Sequence, residues 1–530
     1  MTNVAGSEWE RRGGSSSDSR PDARRDHDRV FYSAEFERLE DVTQIATLTS
    51  SSVRNRLTHS YRVEQIAQSI AQTNCNVELI DEEVVKTAAL VHDMGHAPFG
   101  HTGEEALQRA VTCVLHRDVY PTRYTARIED VPNILKDGVR RKNACEGPRP
   151  CLLPDGFEGN AQTFRILTLL ASNHPSSKDY GLNLTRRTLL ASLKYPWLHG
   201  ENEKKPSKWG VYDADADAFA WVLGLNSDDG DTESALQGPR DRSLEASIMD
   251  IADDIAYAVH DLEDAHKAGL IPFAEISMAP VTNTFLRIIS YIRAEVRETN
   301  SPLGGSPVMR IVDEWDRFTE AGIQELPSRG DLASLGYPYL NQVAQVLSMI
   351  DPSRYSGGVS SRAALSQWRG GLISLFVNDV DISTGQAKFR SDRLESAIEF
   401  LKQLTWYFVI DDPDLSAIRE GQEALISACF DRLFDQASSA WLETPGAESS
   451  DWASTPSHRA TKRLPERLVD YLALGRVQES LASVRRCTPQ QIVARAVVDY
   501  ICSLTDSEVY SYSLQVDGAP SHSAPRAFAS

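Results

Sequence analysis

The chain of 530 residues is poor in several features that would narrow its class at once. No uninterrupted apolar run reaches the roughly eighteen residues that a bilayer crossing demands, so no membrane partner is expected. Cysteine is sparse and scattered: seven residues, at 75, 113, 145, 151, 429, 487 and 502, form no CxxC pair. That argues against a disulfide framework or a zinc ribbon and suits a reducing, cytoplasmic setting. Positive charge is in short supply, 55 Lys and Arg against 75 Asp and Glu, leaving a net charge of −20. Such a surface repels polyanions at long range, so any phosphate site must be a local basic pocket. There is no GxxxxGK[ST] phosphate loop, no internal repeat and no sustained strand alternation. The polar opening, MTNVAGSEWERRGGSSSDSR, has no hydrophobic segment of the kind a signal peptide carries.

What is present is helical periodicity, and an all-α fold is expected. Apolar content of 41% and charged content of 25% are ordinary for a globular chain, and the length suits either two or three average domains or one large helical one. Residues 1–28, rich in Ser, Gly, Arg and Asp, read as a disordered tail. A helix is predicted over Phe31–Ile45. Thr58 reads as the N-cap of the next, with Val63, Ile66, Ala67, Ile70 and Ala71 facing inward and His59 on the same face. Asp81 is placed to cap EEVVKTAALVHDM, and Thr102 with Glu105 resembles a capping box. Residues 116–157 are irregular and read as a surface insertion. Ser243 begins the longest clear helix of the N-terminal half, closed by Gly269 and Pro272, and Thr488 with Gln491 caps a final one. Residues 29–270 are taken as the core, 271–515 as a largely helical half that completes it, and 516–530 as a second disordered tail.

The densest chemistry lies in Thr87–Glu104, TAALVHDMGHAPFGHTGE. A divalent ion needs donors converging from several helices, and His59, the His92–Asp93 pair and Asp253 fall on three inward faces. Two imidazoles and two carboxylates suit Mn, Mg, Fe or Zn, with positions left for water and a phosphate oxygen. His101, oriented by Glu104 at a helix start, is placed to move a proton, and His96, one turn past His92, to hydrogen-bond a phosphate. Each has an ordinary rival: a single His at a helix start is usually a cap or a surface residue, and an HD dipeptide arises often by chance. The weight comes from their occurrence together, in order.

These elements resemble the HD-domain deoxynucleoside triphosphate triphosphohydrolases, specifically the bacterial deoxyguanosine triphosphate triphosphohydrolases (dGTPases). The matching segments are Arg56-Leu-Thr-His59-Ser, His92 through Glu104, Phe157-Glu-Gly-Asn-Ala-Gln162, Lys194-Tyr-Pro-Trp197, Lys208-Trp-Gly-Val-Tyr212 and Ala252-Asp-Asp-Ile-Ala-Tyr257. Asp499-Tyr-Ile and Thr505-Asp506 are similar to the family's C-terminal helix. The resemblance implies an HD-domain helical core and a metal on His59, His92, Asp93 and Asp253. It also implies His101 and Glu104 as the catalytic pair, and hydrolysis of dGTP or another dNTP at the α-phosphorus to deoxynucleoside and triphosphate. By matched position Arg56, His96, Asn160, Lys194 and Lys208 would serve the triphosphate, Gln44 the sugar 3′-hydroxyl, and Tyr257 with Asp261 the deoxyribose, with Tyr195 joining that wall. Family members are commonly homo-oligomers, and some respond to a nucleotide or single-stranded DNA effector. The chain departs from the family in reading Glu37-Arg38-Leu39 where Arg-Arg-Leu is frequent, and in the 130–157 insertion; Arg362 and Arg369 compete for one C-terminal contact. The alternatives are a broad-specificity dNTPase or other phosphohydrolase on the same metal site, and a regulatory or nucleic-acid-binding protein with a degenerate site.

Overall fold

The computed structural model describes residues 8–14, 18–44, 55–74, 80–112, 151–172, 180–225, 232–277, 283–298, 306–321, 331–441, 462–482 and 487–516. Fourteen helices position the site: α1 (Asp22–Phe31), α2 (Arg56–Thr73), α3 (Glu82–Val91), α4 (His101–Val111), α5 (Gly159–Arg165), α6 (Arg186–Ala191), α7 (Leu244–Ala256), α8 (Leu262–Lys267), α9 (Val359–Asp379), α10 (Asp392–Thr405), α11 (Pro413–Trp441), α12 (Glu466–Leu481), α13 (Pro489–Cys502) and α14 (Asp506–Val516). Among the described residues the only sheet is an antiparallel pair, β1 (Val380–Asp381) and β2 (Lys388–Phe389), with Val380 opposite Phe389. The all-α expectation holds. Among the described residues no helix is long and apolar enough to cross a membrane.

Among the described residues two large hydrophobic cores and one small aromatic cluster fill the interior. The first unites α2, α3 and α7 through Val63, Ile66, Ile70, Val84, Ala88, Ile248 and Ile255, and extends to Leu372 of α9 and Leu401 of α10. The second gathers Leu107 of α4, Phe164 of α5, Phe430 of α11, Leu468 of α12 and Val497 of α13. Helix α3 crosses between them: Val84, Val85, Ala88 and Ala89 belong to the first, Leu90 and Val91 to the second. His92 and Asp93 therefore emerge where the two cores meet.

Several local expectations hold for the reasons given: Asp81 accepts from the N–H groups of Glu83 and Val84, Ser243 accepts from Ala246, and Thr488 with Gln491 forms a full capping box. Others need correction. Residues 22–28, expected in a disordered tail, are the body of α1, with Asp26 and His27 buried. Their burial rests on polar pairing rather than an apolar stripe: Arg11 pairs with Asp26, which also accepts from Thr185 N at 2.9 Å. The helix expected over 31–45 is broken into a turn at Ala34–Glu37 and a 3₁₀ segment at Arg38–Asp41. Asn55 replaces Thr58 as the cap of α2, its side chain accepting from Thr58 N at 3.0 Å. No capping box starts α4. Phe99 and Gly100, at φ 63° and 58°, turn the chain through left-handed backbone and launch the helix directly at His101. The helix begun at Ser243 widens into a π turn at Tyr257–Asp261 before α8. Of the 116–157 insertion, 116–150 lies outside the described residues, as does 517–530 of the second tail.

Candidate active site

Three helices supply the central cluster. His59 comes from the first turn of α2, His92 and Asp93 follow α3, and Asp253 projects from α7. Asp253 Oδ1 lies 3.2 Å from His59 Nε2 and 3.6 Å from His92 Nε2, and Asp93 Oδ1 lies 3.4 Å from His92 Nε2. Ligand atoms of His59, His92 and Asp93 all fall within 4.8 Å of one another. His92 Nδ1 is 2.7 Å from the Ala89 carbonyl, which fixes it as the protonated nitrogen and turns Nε2 inward. That Nε2 is buried and makes no hydrogen bond. An orphaned buried imidazole nitrogen among two carboxylates and a second imidazole fits a divalent ion. In its absence burial disfavours charge on His92, yet Asp93 and Asp253 outweigh this and raise it to about 9. Both carboxylates resist burial and are held well below the usual range, Asp93 by His92, His96 and Arg56, Asp253 by Lys194 and His92.

A second group adjoins the first through Asp93. His96 Nδ1 is 3.3 Å from Asp93 Oδ1, and its Nε2 is 3.5 Å from Glu104 Oε1. His101 Nδ1 is 3.1 Å from Glu104 Oε2. His101 is 65% exposed at its side chain, whereas Glu104 is 17% exposed. Burial and the neighbouring Arg56 push His96 down to about 3, keeping it neutral. Two glycines allow the crowding. A Cβ on Gly95 would stand 2.1 Å from Gly159 O and 2.2 Å from Thr163 N, and one on Gly159 would stand 2.3 Å from Glu104 Oε1.

Basic side chains surround these groups. Arg56 donates to Asp93 Oδ2 at 2.7 Å, and Lys194 to Asp253 Oδ2 at 3.1 Å while also pairing with Asp250 at 2.7 Å. Lys208 and Asn160 meet on one buried carboxylate, Glu158, at 3.1 and 2.9 Å. Tyr195 is buried beside Trp197, with Lys205 Nζ 5.3 Å from its ring centre. Gln44 is half-buried, its Oε1 lacking a partner. Tyr257 and Asp261 follow Asp253 on the same helix by about 6 and 12 Å of axial rise, Tyr257 half-buried and Asp261 buried. Of the two C-terminal arginines, Arg369 donates to buried Glu263 at 3.1 Å from α9, which packs on α2, whereas Arg362 is exposed.

Three supporting residues escape a reading by motif. Arg38, in the segment that departs from Arg-Arg-Leu, donates to the carbonyls of Met94, His96 and Leu504 at 3.1, 2.7 and 2.8 Å. Glu158 caps α5, accepting from Asn160 N and Ala161 N. Asp506 accepts from Phe99 N at 2.7 Å and Thr43 N at 3.0 Å, so the C-terminal region braces the left-handed bend that precedes His101. A bulky residue at positive φ is strained by about 1–3 kcal/mol and persists only where its surroundings hold it. Helical spacing signals neither the role of Arg38 nor that of Asp506, since their partners are remote in sequence, whereas the Glu158 cap is local and only its pairing with Lys208 is distant.

A helical bundle that gathers a His, an adjacent His-Asp pair and a distant Asp around one buried point defines an HD-domain protein, and the HD domain family model matches residues 56–146. A deoxyguanosinetriphosphate triphosphohydrolase-like protein of Corynebacterium glutamicum is 30% identical over 423 residues, 78% of this chain and 80% of the relative. Its counterpart in Corynebacterium diphtheriae is 31% identical over 424 residues, 78% and 81% of the two chains. The chain belongs to the deoxyguanosinetriphosphate triphosphohydrolase-like family. A further relative, from Shewanella baltica strain OS223, is 35% identical over 316 residues, and there the match covers 51% of this chain and only 60% of the relative's length.

Proposed function

We propose that this protein is a metal-dependent phosphohydrolase that cleaves deoxynucleoside triphosphates, dGTP foremost, to deoxynucleoside and inorganic triphosphate. The carrying observation is that the candidate metal cluster and the His101–Glu104 pair are joined through Asp93 and His96, with Arg56, Lys194 and Lys208 around them. His59, His92, Asp93 and Asp253 would hold the ion, with Mn, Mg, Fe and Zn all compatible with this donor set. When bound, a divalent ion polarises a phosphoryl oxygen and acidifies water.

The chain's own groups do the rest. Glu104 accepts from His101 Nδ1 and so leaves the other ring nitrogen free to take a proton from the attacking water. As the new oxygen–phosphorus bond forms at the α-phosphorus, the bond to the sugar O5′ breaks, and that oxygen leaves with a proton. Arg56, Lys194 and Lys208 offset the charge of the triphosphate, and His96, neutral, donates or accepts without adding charge. Asn160 assists at the phosphates and Gln44 at the 3′-hydroxyl. The rings of Tyr257 and Tyr195, with Asp261, line the deoxyribose, where a ring beneath C2′ excludes a ribose hydroxyl.

Incubation of the chain with Mn²⁺ and each dNTP or GTP, with products separated by ion exchange, tests this reading. Triphosphate and deoxynucleoside are expected, fastest from dGTP, with GTP inert. Equal rates on all four dNTPs would replace dGTP preference with broad specificity, and release of pyrophosphate or monophosphate would overturn attack at the α-phosphorus. Hydrolysis that survives Asp93→Ala with unchanged metal dependence would refute the site.

A further inference from the structure

Asp93 stands between two sets of potential ligands, and only the set with His59 and His92 has been given a metal above; His96, His101 and Glu104 have been given only proton-transfer and phosphate roles. On its other side His96, His101 and Glu104 also bring three ligand atoms within 4.8 Å of one another. The individual separations are 3.5 Å between His96 Nε2 and Glu104 Oε1, and 3.1 Å between His101 Nδ1 and Glu104 Oε2. The rings of His96 and His101 meet edge to face with centres 5.3 Å apart. An ion with bonds of about 2.0–2.2 Å holds its ligands about 3–4 Å from one another, so small side-chain adjustments close this set around a cation. Two imidazoles and one carboxylate select a borderline cation of the Zn²⁺ type over Mg²⁺ or Ca²⁺.

Two further observations point to a ligand here. Glu104 Oε1 is buried and accepts no hydrogen bond, although it lies beside the nine-tenths-buried ring of His96. The space in front of it is kept open by Gly159, where a Cβ would stand 2.3 Å from that oxygen. His101 is largely exposed, which gives an ion access from solvent. We infer that His96, His101 and Glu104 form a second divalent-cation site, weaker than the first, and that a Zn²⁺-like ion bound there disables the proton-transfer pair and inhibits the enzyme. It is weaker because it offers three protein ligands, one of them on an exposed and movable side chain, and because Arg56 and the first ion both lie close by. The binding stands on the geometry alone; the inhibition rests on the proposed hydrolase.

Equilibrium dialysis of the full chain against Zn²⁺, with bound metal measured by atomic emission, tests the site. Wild type should bind two ions per chain. Glu104→Gln and His101→Ala should each weaken the second by at least about tenfold while retaining the first. Asp253→Asn should do the reverse. One ion per wild-type chain, or a second ion held undiminished by both Glu104→Gln and His101→Ala, would overturn the proposal. With Mn²⁺ saturating the first site, added Zn²⁺ should then suppress triphosphate release over the concentration range in which the second ion binds. Suppression that does not follow second-site occupancy would overturn the inhibitory role. Absence of hydrolysis at every metal concentration would instead refute the hydrolase reading and leave the dialysis result to judge the site.

Discussion

Gly95→Ala should be among the most damaging methyl groups that can be added to this protein. The new Cβ would stand 2.1 Å from Gly159 O, 2.2 Å from Thr163 N and 2.8 Å from Gln162 C, all main-chain atoms of α5 with no side chain to swing aside. Ordinary contact begins at 3.4 Å, so the segment carrying His92, Asp93 and His96 must part from α5 by about 1.3 Å. That separation also breaks the 2.9 Å bond from Gly95 N to Thr163 Oγ1. Overpacking of about 1–3 kcal/mol and one lost hydrogen bond of about 1 kcal/mol give an expected destabilisation of about 2–4 kcal/mol. A misplacement of about 1 Å at reacting groups costs about a hundredfold in rate, and disturbed ligand support costs about 10–100-fold in metal affinity. Urea denaturation, calorimetric Mn²⁺ titration and dNTP hydrolysis should register all three losses together. A variant with wild-type urea midpoint and wild-type metal affinity would refute the claim that this glycine sets the distance between the metal-bearing segment and α5.

The opposite outcome is expected at Gly421, in the middle of α11, where a Cβ meets nothing within 4 Å. Gly421→Ala should raise stability by about 0.4–1 kcal/mol by restricting the unfolded chain, read as a higher urea midpoint with unchanged hydrolysis. Asp506→Ala removes the acceptor of Phe99 N and Thr43 N; it should cost about 3 kcal/mol and lower kcat more than Mn²⁺ affinity, with Asp506→Asn intermediate. Burial pushes the Cys429 thiol up to about 12, so at pH 8 it is almost wholly protonated. Mass spectrometry after brief iodoacetamide treatment should find Cys429 unmodified in the native protein and alkylated only after unfolding.

Legibility in the sequence followed the range of the interaction. Caps that act within three residues, at Asp81, Ser243 and Thr488, could be read directly, and so could the placement of His59 and Asp253 on inward faces. The helix at 22–31 could not, because its buried groups include Asp26 and His27, whose partners Arg11, Thr185 and Glu64 lie well away in sequence. Thr102 imitated a cap, but the left-handed pair Phe99–Gly100 puts the cap at Gly100, two residues earlier, and that pair is sustained by Asp506. Composition likewise could not reveal that Lys208 and Asn160 share Glu158, or that Lys194 divides its charge between Asp250 and Asp253.

The hold of Asp506 on the Phe99 bend spans 407 residues. A ribosome releases the chain from its N-terminus, so every metal-ligand candidate is available long before the residue that braces the bend beside His101. A half-made chain thus presents the ligand residues without the brace. The brace comes only with α14, and a protease that removes that helix would return the molecule to the unfinished condition, sparing the first hydrophobic core and stripping Val509 from the second.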